Sequence, residues 1–356
     1  MITVFTPSFA DDENTNAQNL TVKEVVARMD PQRFRVVLLG SRAPDPRIAA
    51  RLNTRILKWR SRGNTARVLW HLLTHPPDVY FFPREGPLDA AFLAVRRRLR
   101  LKTALVTYVV SGELEKDNRP ILFRAIRECD AVAANSRGMS KTVETLGGKD
   151  VRTVYDGIDR RYYYPGSKAA DALTGNRVLF AGSFRRYKRA DLVVREAAKF
   201  PHWEFRLAGM GEEEGACRKL AREENCKNVH FVGHLTAAQL GDEMRRAQLF
   251  FFPSEIEGHP QVLGQAAACG LPCIARSSYD PDNVVNGVTG LLADTDEELG
   301  AALRRLIEDA DLRGRMSQAA IDHAAKFEWD EVTRQWSEIM EKAIIERQNL
   351  LRQRFS

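Results

Sequence analysis

No apolar run in this 356-residue chain approaches the length of a bilayer span, which argues against an integral helical membrane protein. The opening MITVFTPSF enters a strand and then polar residues. It lacks the basic head, long apolar stretch and cleavage site of a secretory leader, so a cytoplasmic chain is expected. Cysteine is scarce. The five residues Cys129, Cys217, Cys226, Cys269 and Cys273 are an odd number in a long chain, which argues against a disulfide framework. Cys269 and Cys273 have metal-ligand spacing, but no second Cys or His pair accompanies them. They read as small buried residues at a helix end and in a strand. Internal repeats and low-complexity tracts are missing too. So is any recognised nucleic-acid module, which argues against DNA or RNA as a partner.

Apolar residues make up 44% of the chain, enough for two domains with cores of their own. The net charge of +7 is unevenly spread: residues 1–165 carry 28 Lys and Arg against 18 Asp and Glu, the remainder 26 against 29. The excess gathers at Arg51, Arg55, Lys58, Arg60, Arg62 and Arg67, with Ile56, Leu57 and Trp59 among them. A second cluster is Arg96, Arg97, Arg98, Arg100 and Lys102. Basic clusters with apolar anchors suit an anionic membrane face, an acidic polysaccharide or a phosphorylated lipid carrier. A solvated helix face would read the same way.

In the first half, apolar runs predict strands at Ile2–Thr6, Arg35–Leu39, Val79–Phe82, Ala104–Tyr108, Ala131–Asn135 and Arg152–Val154. Helical spacing predicts helices over Leu20–Met29, Pro46–Ser61, Ala66–Leu73, Leu88–Leu99, Asn118–Glu128 and Met139–Leu146. In the second half the predicted strands are Val178–Ala181, Glu204–Ala208, Val229–Val232, Leu249–Phe252 and Cys273–Ala275. Helices are expected at Ala190–Lys199, Glu213–Glu224, Ala237–Arg245 and Gln261–Cys269. Such alternation with short connections fits doubly wound α/β sheets. Asp156-Gly157 and the run Tyr162 to Gly166 mark a junction. A charged helical tail from Leu299 is broken at Phe327-Glu328-Trp329, and a final amphipathic helix follows from Asp330. The expected domains are 1–160 and 161–328, with a terminal helix in 329–356.

The densest chemistry lies between Phe250 and Leu292. A buried strand leads into a loop holding Glu257-Gly258, then a small-residue helix stopped by Gly270 and Pro272, then a second strand. Ligands of open parallel sheets sit at the carboxyl ends of strands, where Glu257 falls. The helix N-terminus behind it, from His259 on, offers unpaired N–H groups to a phosphate. The segment thus combines a carboxylate for hydroxyls with an anion site.

This pattern resembles the donor site of the retaining glycosyltransferases of family 4, which have the GT-B fold. Glu257, Gly258, Pro260, Gly270 and Pro272 match the family's Glu-Gly-x-Pro and Gly-x-Pro; Gln265 stands where the family has a second Glu. Asp156-Gly157-Ile158-Asp159, Ala181-Gly182-Ser183-Phe184 to Lys188, Leu207 to Gly211, Val232-Gly233-His234-Leu235 and Asn286 to Gly290 match further signatures in order. The resemblance implies two Rossmann-like domains facing across a cleft, an N-terminal acceptor side and a C-terminal donor side. It also implies a last helix that crosses back to the first domain.

Glycosyl transfer requires stabilisation of a leaving diphosphate, orientation of an oxocarbenium-like sugar and a dry approach for the acceptor hydroxyl. The resemblance gives Lys188 the first task, with Arg185 and Arg186 as stand-ins for the family Arg that Ser183 replaces. Glu257 orients the sugar. Backbone groups around Gly258, His259 and Pro260 meet phosphate, although Pro260 itself has no N–H to give. Gln265 meets the ribose through hydrogen bonds in place of a charge. Val232, Gly233 and Leu235 line the base pocket. Gly209 and Gly211 either admit the nucleotide or simply turn the chain. The first-strand loop Phe9 to Asn16 is acidic where the family has Gly-Gly, and Tyr108 is the nearest match to a family His. No Asp-x-Asp motif appears in a donor-site context, so no metal cofactor is expected. The expected partners are a UDP- or GDP-sugar and a hydroxyl acceptor of glycan or lipid-linked type. The expected setting is cytoplasmic, with possible attachment to an anionic membrane face through Arg51–Arg67 and Arg96–Lys102. Two other readings stay open: a nucleotide-sugar-binding protein without transfer, favoured by Ser183 and Gln265, and a nucleotide-sugar epimerase.

Overall fold

The computed structural model describes residues 1–11, 17–59, 64–81, 86–109, 120–166 and 176–353, without the side chains of 17–20, 120–122 and 125. The chain divides into two compact units, Met1–Asp156 with Trp329–Ser356, and Gly157–Glu328.

Unit 1 contains strands β1 (Ile2–Phe9), β2 (Phe34–Gly40), β3 (Thr54–Lys58), β4 (Val79–Phe81), β5 (Ala104–Val109), β6 (Ala131–Ala134) and β7 (Val151–Thr153). They form one sheet in the order β3-β2-β1-β4-β5-β6-β7. Every pairing is parallel. Helices α1 (Ala17–Arg28), α2 (Pro46–Ala50), α3 (Asn64–Thr74), α4 (Pro87–Leu99), α5 (Pro120–Glu128) and α6 (Arg137–Thr145) intervene. Strands covered on both faces must be apolar throughout. β5 and β6 are accordingly buried at every residue.

The helix predicted over Pro46–Ser61 is not what forms. Asp45 caps the short α2 by accepting from the Arg47 N–H at 2.9 Å. Asn53 turns through the left-handed region, with φ 56°. Thr54–Lys58 then adds an edge strand, in register with Val36–Gly40. Pairing with an existing sheet edge outweighs the helical spacing of the basic residues. Ile56, Leu57 and Trp59 pack half-buried against the core. Arg51 is committed to backbone, donating to the carbonyls of Met29, Phe34 and Leu52. Arg60 and Arg62 lie outside the described residues.

Helix α13 (Trp329–Gln353) belongs to unit 1. Its apolar face, built from Val332, Trp336, Ile339, Met340 and Ala343, completes the core on one side of the sheet. Trp336 is fully buried, edge-on to Phe81 and Tyr108 with ring centroids 4.9 and 5.1 Å away. Tyr108 is held by this core. Its hydroxyl donates to Asp156 Oδ1 at 2.9 Å, which also accepts from Thr21 at 3.0 Å. Burial, with the Asp156 charge, pushes the Tyr108 phenol well above its ordinary value. Asp11 is likewise engaged, accepting from Ser41 N at 2.9 Å and Arg42 N at 3.1 Å. The rest of the acidic loop, residues 12–16, lies outside the described residues.

Unit 2 contains β8 (Arg177–Ala181), α7 (Ala190–Ala198), β9 (Glu204–Ala208), α8 (Glu214–Glu223), β10 (Val229–Gly233), α9 (Ala237–Arg246), β11 (Leu249–Phe252), α10 (Gln261–Ala268), β12 (Cys273–Arg276), β13 (Gly290–Ala293), α11 (Asp296–Glu308) and α12 (Ala310–Ala324). Its parallel sheet runs β10-β9-β8-β11-β12-β13. The short β13 has no counterpart among the predicted strands. It follows the Asn286-Gly287 turn and pairs with β12 from Cys273 to Arg276. Strand order reverses between β8 and β11, the switch point where such sheets bind ligands. Among the described residues, no helix is long and apolar enough to cross a membrane. The five cysteines are unpaired, and burial pushes the Cys269 thiol up to about 12.

Candidate functional site

The loops after β8 and β11 meet at the switch point of unit 2. After β8 the chain passes Gly182-Ser183, buries the Phe184 ring and makes a single 3-10 turn, Arg186–Lys188. After β11 it turns through the fully buried Ser254. The Glu255 N–H then donates to the Tyr187 carbonyl at 2.8 Å, fastening one loop to the other. The result is an ion pair between residues 69 apart in sequence, with Lys188 Nζ 2.5 Å from Glu257 Oε1. Their side chains are only 15% and 12% exposed. The ammonium also lies 5.2 Å from the Phe252 ring centroid and 5.4 Å from that of Tyr187, within cation–π range.

A pocket of about 670 Å³ opens beside the pair. Of the residues predicted for the site, Ser183, Lys188, Gly209, Leu235, Glu257, His259, Pro260 and Gln265 line it. Arg185, Arg186, Gly211, Val232, Gly233 and Gly258 are not among its lining residues. Arg185 and Arg186 are exposed. The pocket also takes Phe252 and Met210, which the sequence reading left out of the site. Phe252 was legible only as the last residue of an apolar strand.

Gly209-Met210-Gly211 serves backbone packing. Gly209 has φ 134°, and a Cβ there would stand 1.8 Å from the Gly182 carbonyl oxygen. Gly209 N donates to Gly233 O at 2.8 Å, and Phe184 N to Met210 O at 2.9 Å. The ends of β8, β9 and β10 are thereby laced into one wall of the pocket. The opposite wall is the start of α10, where Gln261 and Val262 occupy the first turn and Gln265 the next. Its leading N–H groups and partial positive charge favour an anion. The buried Asn283 brings its amide nitrogen to 3.4 Å from His259 Nε2.

Arg189 braces these loops from outside the pocket. It sits in the left-handed region, φ 53°, and reaches Asp191 at 3.1 Å, Glu255 at 2.8 Å and Asp296 at 2.8 Å. Asp296 also pairs with Arg276. Burial would raise the Asp296 carboxyl, but the hydrogen bonds from Arg189 and Arg276 outweigh it and hold the group below its ordinary value of 3.8. A group lowered on folding stabilises fully above its unfolded value, and that stability is lost as pH falls through the folded one. Asp296→Asn is therefore expected to lower the melting temperature at neutral pH. The gap to wild type should narrow between about pH 5 and pH 3 in thermal melts. Asp294-Thr295-Asp296 has Asp-x-Asp spacing, yet Asp296 is committed to these arginines and Asp294 accepts from Ser277. Among the described residues, no three His, Cys, Asp or Glu side chains are grouped to hold a metal ion.

Known structures share this architecture. HepE (Alr3699) of Anabaena, solved in complex with UDP, superposes with a TM-score of 0.76 at 17% identity, over 96% of this chain and 100% of that one. Sucrose-phosphate synthase from Thermosynechococcus elongatus gives 0.72 at 17% identity, over 96% and 99%. The chain has the two-unit Rossmann-like fold of GT-B glycosyltransferases. Residues 168–323 match the family described as glycosyl transferases group 1. Over 230 residues the chain is 31% identical to D-inositol 3-phosphate glycosyltransferases of Mycobacterium bovis (strain BCG / Pasteur 1173P2) and Mycobacterium tuberculosis (strain ATCC 25618 / H37Rv), covering 59% of this chain and 48% of each relative. The chain thus spans about half the length of the curated relatives it matches.

Proposed function

We propose that this protein is a retaining, metal-independent glycosyltransferase. In this reading it moves a sugar from a UDP- or GDP-sugar to a hydroxyl on a glycan or lipid-linked acceptor. The observation that carries the reading is the Lys188–Glu257 pair, held at 2.5 Å beside a pocket at the switch point of unit 2. The bond from the anomeric carbon to the diphosphate breaks, and Lys188 and the α10 N-terminus meet the charge that develops on the phosphate. Glu257 accepts hydrogen bonds from sugar hydroxyls near the reacting carbon. Gln265 meets ribose hydroxyls from the second turn of α10. The acceptor oxygen bonds to the anomeric carbon on the face the diphosphate leaves, and the leaving phosphate takes the acceptor proton. Among the described residues, Glu257 has no second carboxylate beside it in the pocket lining to act as a nucleophile.

The UDP bound to HepE supports a nucleotide-linked donor, and the inositol-phosphate relatives support a hydroxyl acceptor. A thermal-shift panel of UDP, GDP, ADP and their sugars tests the reading. One nucleotide is expected to stabilise wild type by mass action, by about 2.7 kcal/mol at a hundred times its Kd, and Lys188→Met is expected to lose most of that shift. A wild type that no nucleotide stabilises would remove the donor-site reading.

A further inference from the structure

The second basic cluster of unit 1 is larger in the structure than in the sequence. Helix α4 ends at Leu99, and Arg100 follows in the left-handed region, φ 50°. Arg347 near the end of α13 donates to the Leu101 carbonyl at 2.8 and 3.1 Å, pinning the last helix to this segment. Arg97, Arg100, Arg127, Lys149 and Arg347 then share a cavity of about 370 Å³ with Leu350 and Leu351. Arg96 is not part of the solvent-facing charge, because it is buried against Asp130 and donates to Thr103 O at 2.9 Å. The acids in the cavity wall are each answered: Asp130 by Arg96, Glu128 by Arg124 at 2.8 Å and Arg97 at 3.9 Å, Asp150 by Lys342 at 2.8 Å and Arg152 at 3.3 Å, and Glu346 by Lys342 at 3.4 Å. Among the described residues, Arg127 and Lys149 form no ion pair, and both are exposed. Leu350 lines the cavity and is 46% exposed; Leu99, which precedes Arg100 in the chain, is 59% exposed, and their sequence neighbours Arg98, Lys102 and Arg352 are exposed too.

We propose that this face, formed by the α4 end, Arg127, Lys149 and the α13 end, docks on an anionic lipid bilayer. The cations would receive lipid phosphates, and Leu99 and Leu350 would enter the headgroup layer. Cations alone would suit any phosphate; exposed leucines between them favour a bilayer over a soluble anion. In the first basic cluster, Ile56, Leu57 and Trp59 are half-buried against the core. Bilayer docking through this face does not depend on sugar transfer at the unit 2 pocket.

The test is co-sedimentation of the full chain with vesicles of phosphatidylglycerol and phosphatidylcholine, against phosphatidylcholine alone. Three proteins are compared: wild type, Arg127→Glu/Lys149→Glu, and Leu99→Ser/Leu350→Ser. Thermal melts without vesicles confirm that each is folded. Wild type should bind only the anionic vesicles, and less so in high salt. The charge-reversed protein should partition about tenfold or more weakly, and the serine protein should also lose binding. Equal binding to both vesicle types, or wild-type binding by folded charge-reversed protein, would overturn the proposal. So would stabilisation by pyrophosphate that Arg127→Glu/Lys149→Glu abolishes, without vesicle binding by wild type, which would mark a soluble-anion site on this face. Nucleotide binding measured on the same samples separates this outcome from failure of the donor site.

Discussion

Glu257→Ala is expected to lower kcat/KM for sugar transfer by about a hundred- to a thousandfold, the usual loss for one preorganised polar group acting on the transition state. Its effect on binding should have a particular signature. In the ligand-free protein Glu257 is the counter-charge of Lys188, at 2.5 Å and largely shielded from water. A diphosphate must compete with that carboxylate for the ammonium. Removing Glu257 therefore leaves Lys188 seeking an anion, and affinity for the bare nucleoside diphosphate should be unchanged or tighter. What should disappear is the extra stabilisation the sugar adds. Lys188→Met should do the reverse, losing the diphosphate first. Titration calorimetry with nucleotide and nucleotide-sugar on both variants separates these roles. Equal weakening of both ligands by Glu257→Ala would reduce Glu257 to a structural partner of Lys188.

Gly209→Ala is expected to destabilise unit 2 by about 3 kcal/mol or more and to abolish nucleotide binding. The new Cβ would lie 1.8 Å from Gly182 O, a backbone atom with no rotamer to relieve the clash. The β8 and β9 loops would have to part, and with them the wall that Gly182, Ser183, Gly209 and Met210 build. Gly233→Ala is the control. Gly233 is also left-handed, φ 73°, but a Cβ at that position would meet nothing within 4 Å. That change should cost only about 1 kcal/mol, the penalty of the left-handed conformation. Urea melts of the two variants distinguish close approach from backbone conformation; similar losses would show that approach does not matter.

The β11–α10–β12 unit was legible because its signals are local. An unbroken apolar run, small residues at helical spacing and the Gly270 to Pro272 stop specify strand, helix and strand without knowledge of the partner strands. The Lys188–Glu257 pair was not legible as a pair, since only sheet order brings positions 69 apart into contact. Edge strand β3 reads as helix in the sequence because Thr54–Lys58 carries its basic residues at a spacing that also suits a helix; the deciding term is pairing with β2, a tertiary fact. Arg185 and Arg186 are reasonable clamps by sequence distance, but the 3-10 turn sends Lys188 inward and leaves them in solvent. Arg189, in sequence only part of a basic loop, acts as a brace because its acidic partners come from three different segments.

Proton NMR of wild type with α-linked UDP- and GDP-sugars, alone and with hydroxyl acceptors, is the direct test of retaining sugar transfer. It reads release of nucleotide and the configuration of the first-formed sugar product. Turnover of one nucleotide series and an α-configured product are expected, with turnover by Glu257→Ala slowed about a hundred- to a thousandfold. A nucleotide-sugar that binds but is never consumed would contradict transfer, and a β-configured first product would contradict retention.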